Sequence, residues 1–134
     1  MKKLFTAIPL LAMMILTACN APEAAYRKIP AEEAYQIMQE ADDYILLDTR
    51  TGWEFAELRI DGALLIPKYE LRSRAAAELP GKNALILIYC RRGRRSEIAA
   101  RELVAMGYTN TYDFGGLIDW PYETIGDKQM EDYP

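Results

Sequence analysis

Cys90 is the residue with the most chemistry gathered around it. It follows the apolar run Ala84-Leu85-Ile86-Leu87-Ile88-Tyr89 and precedes Arg91-Arg92-Gly93-Arg94-Arg95-Ser96, so four of the next five residues are arginines. A short loop at the carboxyl end of a buried strand, feeding a helix, turns its backbone N–H groups towards one point and forms an anion cradle. The helix dipole, those amides and the neighbouring arginines all favour a sulfur held as thiolate. Gly93 lets the loop curl tightly. Such a place suits a nucleophile that attacks an anionic substrate and stays anionic afterwards. A persulfide meets that description, because its terminal sulfur bears the charge and the amides hold it without a general base. A cysteine at a strand end can also be no more than a small hydrophobe. Four like charges within five residues are unfavourable unless an anion visits, which favours the reactive reading.

The elements that must position this loop are legible in the apolar spacing. Residues 84–89 are apolar without alternation, as in a strand buried on both faces. Residues 96–106 then read as a helix: Ala99, Leu103 and Met106 share one face, Glu97 and Arg101 form an i,i+4 pair, and Gly107 is placed to end it. Upstream, Ala34, Ile37 and Met38 give a helix face after Pro30. Residues 44–47 form a short apolar strand ending at Asp48, and residues 52–56 read as a short helix. Residues 63–66 form a further apolar run stopped by Pro67. Leu71, Ala75 and Leu79 mark another helix, ended by Pro80-Gly81, and residues 111–114 form a last strand before Gly115-Gly116. Strands alternating with helices around a doubly buried strand predict an α/β fold with a parallel sheet. The segment 127–134 is polar and reads as a loose tail.

Composition removes several alternatives. There is no histidine, which excludes Ser-His-Asp and Cys-His catalysis and histidine-ligated metal sites. With 51% hydrophobic and 27% charged residues, the balance is that of an ordinary globular domain. Sixteen basic against 20 acidic residues give a formal charge of −4; setting aside Lys2 and Lys3 leaves 14 against 20, or −6. That argues against nucleic-acid binding, which needs a basic footprint. No metal and no organic cofactor is expected. The cysteines are Cys19 and Cys90. With Cys19 assigned to the leader junction, the domain keeps one thiol and can form neither an internal disulfide nor a CxxC redox pair.

The first residues read as an address. Lys2 and Lys3 precede an almost wholly apolar stretch, residues 4–16, of the length of a signal-peptide core and short for a membrane span. Leu16-Thr17-Ala18-Cys19 resembles the bacterial lipobox. That resemblance implies cleavage before Cys19, a diacylglyceryl thioether on its sulfur, and a lipoprotein of the cell envelope facing the periplasm or cell exterior. Asn20 carries no inner-membrane retention signal by the same resemblance. The expected organisation is a signal peptide over 1–18, a lipid-anchored tether over 19–25, a domain over 26–126 and the tail.

Four segments together resemble the rhodanese-like sulfurtransferase family. Leu47-Asp48-Thr49-Arg50 with Trp53-Glu54-Phe55 is similar to its D-V-R-x-x-x-E-[FY] segment, and Ile60-Asp61-Gly62-Ala63 to its H-I-x-G-A element. Tyr89-Cys90-Arg91-Arg92-Gly93-Arg94-Arg95-Ser96 resembles its Y-C-x-x-G-x-R-S loop. Gly107-Tyr108, and Gly115-Gly116 followed by Trp120, resemble its closing motif. The resemblance implies a five-stranded parallel sheet with helices on both faces. It makes Cys90 the acceptor of sulfane sulfur, the amides of residues 91–95 its cradle, and Arg91, Arg92 and Arg95 the grip on an anionic donor. It casts Asp48, Arg50 and Ser96 as supports of the loop, although Asp48 and Arg50 could equally be a plain structural ion pair. Two positions depart from the pattern: Arg59 replaces a usual histidine, adding charge that could lie near the site, and Thr49 replaces a branched apolar residue.

The implied activity takes sulfur from thiosulfate, polysulfide or a thiol persulfide and passes it to a thiol or cyanide-like acceptor. A non-turnover carrier that hands sulfur to a partner protein is the alternative. A cysteine phosphatase or arsenate reductase fits less well, because that loop is C-x5-R whereas Cys90 to Arg95 is C-x4-R.

Overall fold

A computed structural model describes residues 25–132 of the chain. In chain order the regular elements are β1 (Arg27–Lys28), α1 (Ala31–Glu40), β2 (Ile45–Asp48), α2 (Gly52–Glu57), β3 (Leu64–Leu65), α3 (Leu71–Glu78), β4 (Ile86–Cys90), α4 (Arg94–Ala105) and β5 (Thr111–Gly116). A 3-10 turn, Lys68–Glu70, leads into α3. The strands form one sheet in the order β1-β5-β4-β2-β3, and every pairing is parallel. This is the five-stranded α/β architecture expected above.

The two faces of the sheet bury separate cores. On one face Leu47, Ile66, Ile86 and Ile88 meet Leu71, Ala75 and Leu79 of the α3 region and Ala99, Ala100 and Leu103 of α4. On the other, Leu46, Leu87 and Tyr89 meet Ala31 and Ala34, with Leu58, Ile60, Phe114, Leu117 and Trp120 closing the layer. Alternate residues of β4 thus serve opposite cores, and all five of its residues are buried. Doubly covered parallel strands need apolar side chains on both sides, which is why residues 84–89 carry no polar alternation.

Two elements differ from the sequence reading. β1 is absent from it because Arg27 and Lys28 are exposed and carry no apolar pattern; they join the sheet by backbone pairing with Tyr112 and Asp113 of β5. The start of the tail is docked rather than loose. The Asp127 and Lys128 N–H groups donate to the carbonyls of Ala56 and Glu57 at 3.3 and 2.9 Å, and Lys128 Nζ pairs with Glu57 at 2.6 Å. The carbonyls at the end of α2 have no partner within their helix, and the tail supplies one. The leader, Cys19 and most of the tether lie outside the described residues. Among those described, no helix is long and apolar enough to cross a membrane.

Candidate active site

β4 ends at Cys90, at the carboxyl edge of the sheet, where ligands of parallel α/β folds bind. The chain then turns through Arg91 and Arg92 to Gly93, whose φ of +92° is open to glycine at little cost. That residue is the N-cap of α4, so the helix begins at Arg94, two residues before the position read from the sequence. The arginine run is therefore split between loop and helix. Arg94 and Arg95 occupy the first turn, whose N–H groups have no partner within the helix. Two guanidinium groups at the positive end of a helix dipole are unfavourable unless anions compensate them.

The Cys90 sulfur lies at the floor of this turn, 1% exposed. The Gly93 N–H donates to Sγ at 3.0 Å. The thiol in turn reaches Ser96 Oγ at 3.6 Å, and that hydroxyl donates to the Gly93 carbonyl at 3.1 Å. Above the sulfur, Cys90, Arg91, Arg92, Arg94 and Arg95 line an open cavity of about 280 Å³. Arg92 and Arg94 are exposed at its lip, while Arg91 and Arg95 are half-buried. A larger cavity, about 570 Å³, opens between α1 and the 120–123 turn, but no thiol, hydroxyl nucleophile or basic side chain other than tyrosine phenols lines it. The cavity that holds the thiol is the smaller one.

A second strand braces the loop from the side. β4 and β5 shift register between Ile88 and Cys90, which sets Cys90 beside Gly116. A Cβ at Gly116 would lie 2.3 Å from the Arg91 carbonyl oxygen, a backbone atom that cannot step aside. Gly116 is thus needed for close approach, whereas Gly115 beside it holds a φ of +90° that suits glycine. The Ile118 N–H then donates to that same Arg91 carbonyl at 3.2 Å.

Beneath the loop lies a buried polar network. The Arg50 guanidinium grips Asp48 through Nε and Nη2, the latter at 2.7 Å, and Nη2 also donates to the Leu58 carbonyl at 2.6 Å. Its charge lies over the ring of Tyr89, 5.6 Å from the centroid, immediately before Cys90. Burial and the neighbouring Asp48 push the Tyr89 phenol up, so it stays protonated while its oxygen accepts from the Ile60 N–H at 3.3 Å. Thr49 donates to the Tyr89 carbonyl twice, from N–H and from Oγ1, both at 3.1 Å. That second bond explains a hydroxyl residue where a branched apolar one is usual.

Arg95 lines the cavity and also makes a contact that the sequence reading did not give. Its Nη1 and Nη2 donate to the two Glu54 oxygens at 2.7 and 2.8 Å, a bidentate pair that ties α2 to α4. Burial alone would raise the Glu54 carboxyl, but hydrogen bonds from Arg95 and Thr51 outweigh it and hold it at about 2. Thr51 and Glu54 also form the capping box of α2. The Thr51-x-x-Glu54 spacing could have disclosed the cap, but the partner 41 residues away could not be read from it. Arg59 likewise turns from the site: its guanidinium lies over Phe55 and donates to the Phe55 carbonyl at 3.2 Å, and its backbone pairs with Ile125. Asp113, unmarked by any sequence motif, is buried beside Ser96. Burial raises its carboxyl, opposed by the neighbouring Ser96 side chain and by a hydrogen bond from the Gly115 N–H at 3.0 Å. Among the described residues no cluster of side chains is suited to hold a metal ion.

The chain matches the sequence model of the rhodanese-like domain family over residues 30–121. It is 37% identical over 73 residues to the thiosulfate sulfurtransferase PspE of Escherichia coli K12, a match spanning 54% of this chain and 70% of that protein. It is 35% identical over 94 residues to a sulfurtransferase of Allochromatium vinosum, spanning 69% of this chain and 86% of the relative. A solved E. coli rhodanese with bound anions superposes with a TM-score of 0.59 at 32% identity, over 63% of this chain and 99% of that one. A parallel five-stranded sheet, a cysteine cradled by the turn after its central strand, and these matches lead to one assignment: the chain belongs to the rhodanese-like domain family, as an enzyme of the rhodanese sulfurtransferase type.

Proposed function

We propose that the domain moves sulfane sulfur from an anionic donor to a thiophilic acceptor through a persulfide on Cys90, outside the cytoplasm. The observation that carries this reading is the Gly93 N–H aimed at Cys90 Sγ at 3.0 Å on the floor of an arginine-lined cavity. Thiosulfate, polysulfide and thiol persulfides are the donor class. The likeness to a protein named thiosulfate sulfurtransferase supports thiosulfate among them. With thiosulfate, the Cys90 thiolate attacks the outer sulfur, the new S–S bond forms as the old one breaks, and sulfite leaves with the electron pair. A thiolate or cyanide then takes the outer sulfur, and Cys90 departs as thiolate. Neither half-reaction needs a general base, in keeping with a chain that holds no histidine.

The split between Arg95 and the exposed arginines divides the labour. Arg95, held by Glu54, fixes the helix start, while Arg92 and Arg94 at the lip attract the donor by charge. The location rests on the leader: positive n-region, apolar core and Leu16-Thr17-Ala18-Cys19 fit export and lipidation of Cys19, whose two acyl chains would anchor stably where one would not.

The test is turnover by the purified full chain with thiosulfate and cyanide, alongside Cys90→Ser. Thiocyanate formation that depends on Cys90 is expected. Full activity in Cys90→Ser would contradict the reading.

A further inference from the structure

The cavity of about 570 Å³ between α1 and the 120–123 turn shares no residue with the one above Cys90. Its wall is aromatic. The Tyr35 and Tyr122 rings stack with centroids 3.8 Å apart and 12° between their planes, and Trp120 meets them edge-on at 6.1 and 5.0 Å. Trp120 is 5% exposed, and its indole N–H donates to the Glu123 carbonyl at 3.3 Å, so the wall is fixed before anything enters. Two exposed carboxylates, Asp61 and Glu123, line the same cavity, and no lysine or arginine does. Among the described residues the ion pairs engage other carboxylates and leave these two out. A second cavity of about 570 Å³ adjoins the first: Asp61, Tyr122 and Glu123 line both, the second adds Glu131, and it too has no basic lining.

Rings that served only to pack the 120–123 turn on α1 would need neither this open volume nor the unpaired carboxylates beside them. The volume is that of a small-molecule site. An anion finds no counter-charge in either cavity and is repelled by the carboxylates. A metal ion finds no suitable cluster of ligands among the described residues. An organic ammonium ion suits both kinds of lining. Its charge is drawn to the carboxylates and to the electron-rich faces of the rings, while its methylene groups lie on apolar surface. Two cavities joined through Asp61 and Glu123 favour a chain with several ammonium groups over a compact cation. We infer that the joined cavities bind an aliphatic polyamine, with its methylene chain along the wall of Tyr35, Trp120 and Tyr122 and its ammonium groups on Asp61, Glu123 and Glu131. The net charge of −4 favours the approach of such a cation. Since the arginine-lined mouth shares no residue with these cavities, the polyamine does not compete with an anion at Cys90.

The experiment titrates spermidine into the full chain at constant ionic strength, followed by calorimetry and by tryptophan fluorescence. The chain has two tryptophans, so Trp53→Phe leaves Trp120 as the reporter. Saturable binding with a change in Trp120 emission is expected. Asp61→Asn/Glu123→Gln should weaken binding roughly tenfold, the loss of two charge-assisted contacts. Glu32→Gln/Glu33→Gln removes the same charge from exposed positions outside both cavities and should bind as the parent does. Near-ultraviolet circular dichroism checks that each variant is folded, and Tyr122→Leu, which keeps both carboxylates, should also weaken binding. Absence of saturable spermidine binding would overturn the proposal. So would equal weakening in the two charge variants, which would mean diffuse attraction to an acidic chain. Binding of choline as tight as that of spermidine would also overturn it, because a compact cation would then suffice.

Discussion

At the scale of single residues, the decisive contrast is between arginines that look alike in sequence. Arg95 is spent on Glu54, whereas Arg92 and Arg94 face solvent at the lip of the cavity. Arg92→Ala should therefore raise the apparent KM for thiosulfate roughly threefold to tenfold with little change in kcat, and added salt should act in the same direction on the parent. An uncharged sulfur donor should be nearly indifferent to both; steady-state kinetics with each donor type checks this. Gly116 bears a steric demand in place of a chemical one. Gly116→Ala would set a Cβ against the Arg91 carbonyl, so it should lower stability by about 1–3 kcal/mol and displace the cradle. Thermal melting and the rate of Cys90 alkylation measure the two effects separately.

At the scale of elements, the Glu54–Arg95 pair is what joins α2 to the start of α4. Glu54 is held at about 2, well below its unfolded value of about 4.3. A depressed carboxylate stabilises the fold in full above its unfolded value, and that contribution is lost as pH falls towards the folded one. Between about pH 5 and pH 2 the melting temperature of the parent should fall more steeply than that of Glu54→Gln, whose baseline is already lower. Parallel slopes would mean that the pair contributes nothing to the fold. The same pair shows what a sequence can and cannot disclose. The strands β2, β4 and β5 and the helices α3 and α4 were legible because burial writes an apolar period into the chain. So was the reactive loop, because its residues are contiguous. β1 was not, since two exposed basic residues joined by backbone bonds leave no pattern. The entry of α4 at Arg94 was also missed, because Gly93 starts the helix by its conformation and not by a capping side chain. Asp113 and the partner of Glu54 were hidden for a further reason: they reach the site through tertiary pairing that spacing alone does not encode.

At the scale of the whole molecule, an acidic body carries a basic mouth, and the proposed lipidation of Cys19 would add an N-terminal tether. The tether makes its own prediction. Expressed in a bacterium with labelled fatty acid, the full chain should appear in the membrane fraction carrying label, and Cys19→Ala should abolish both label and anchoring. Unlabelled, uncleaved protein in the cytosol would contradict export. Placement outside the cytoplasm, as proposed, would also bear on the sulfur. Among the described residues Cys90 is the free cysteine, with no second thiol to pair with, so a persulfide resting state would protect it where oxidation to sulfenic acid would otherwise compete. All of this depends on Cys90 bearing the transferred sulfur, and intact-mass and peptide mass spectrometry of the full chain after exposure to thiosulfate test that most directly. The account predicts a gain of one sulfur atom, confined to the peptide containing Cys90, removed by cyanide and absent from Cys90→Ser. A chain that turns over thiosulfate while its Cys90 peptide never gains that sulfur would contradict it.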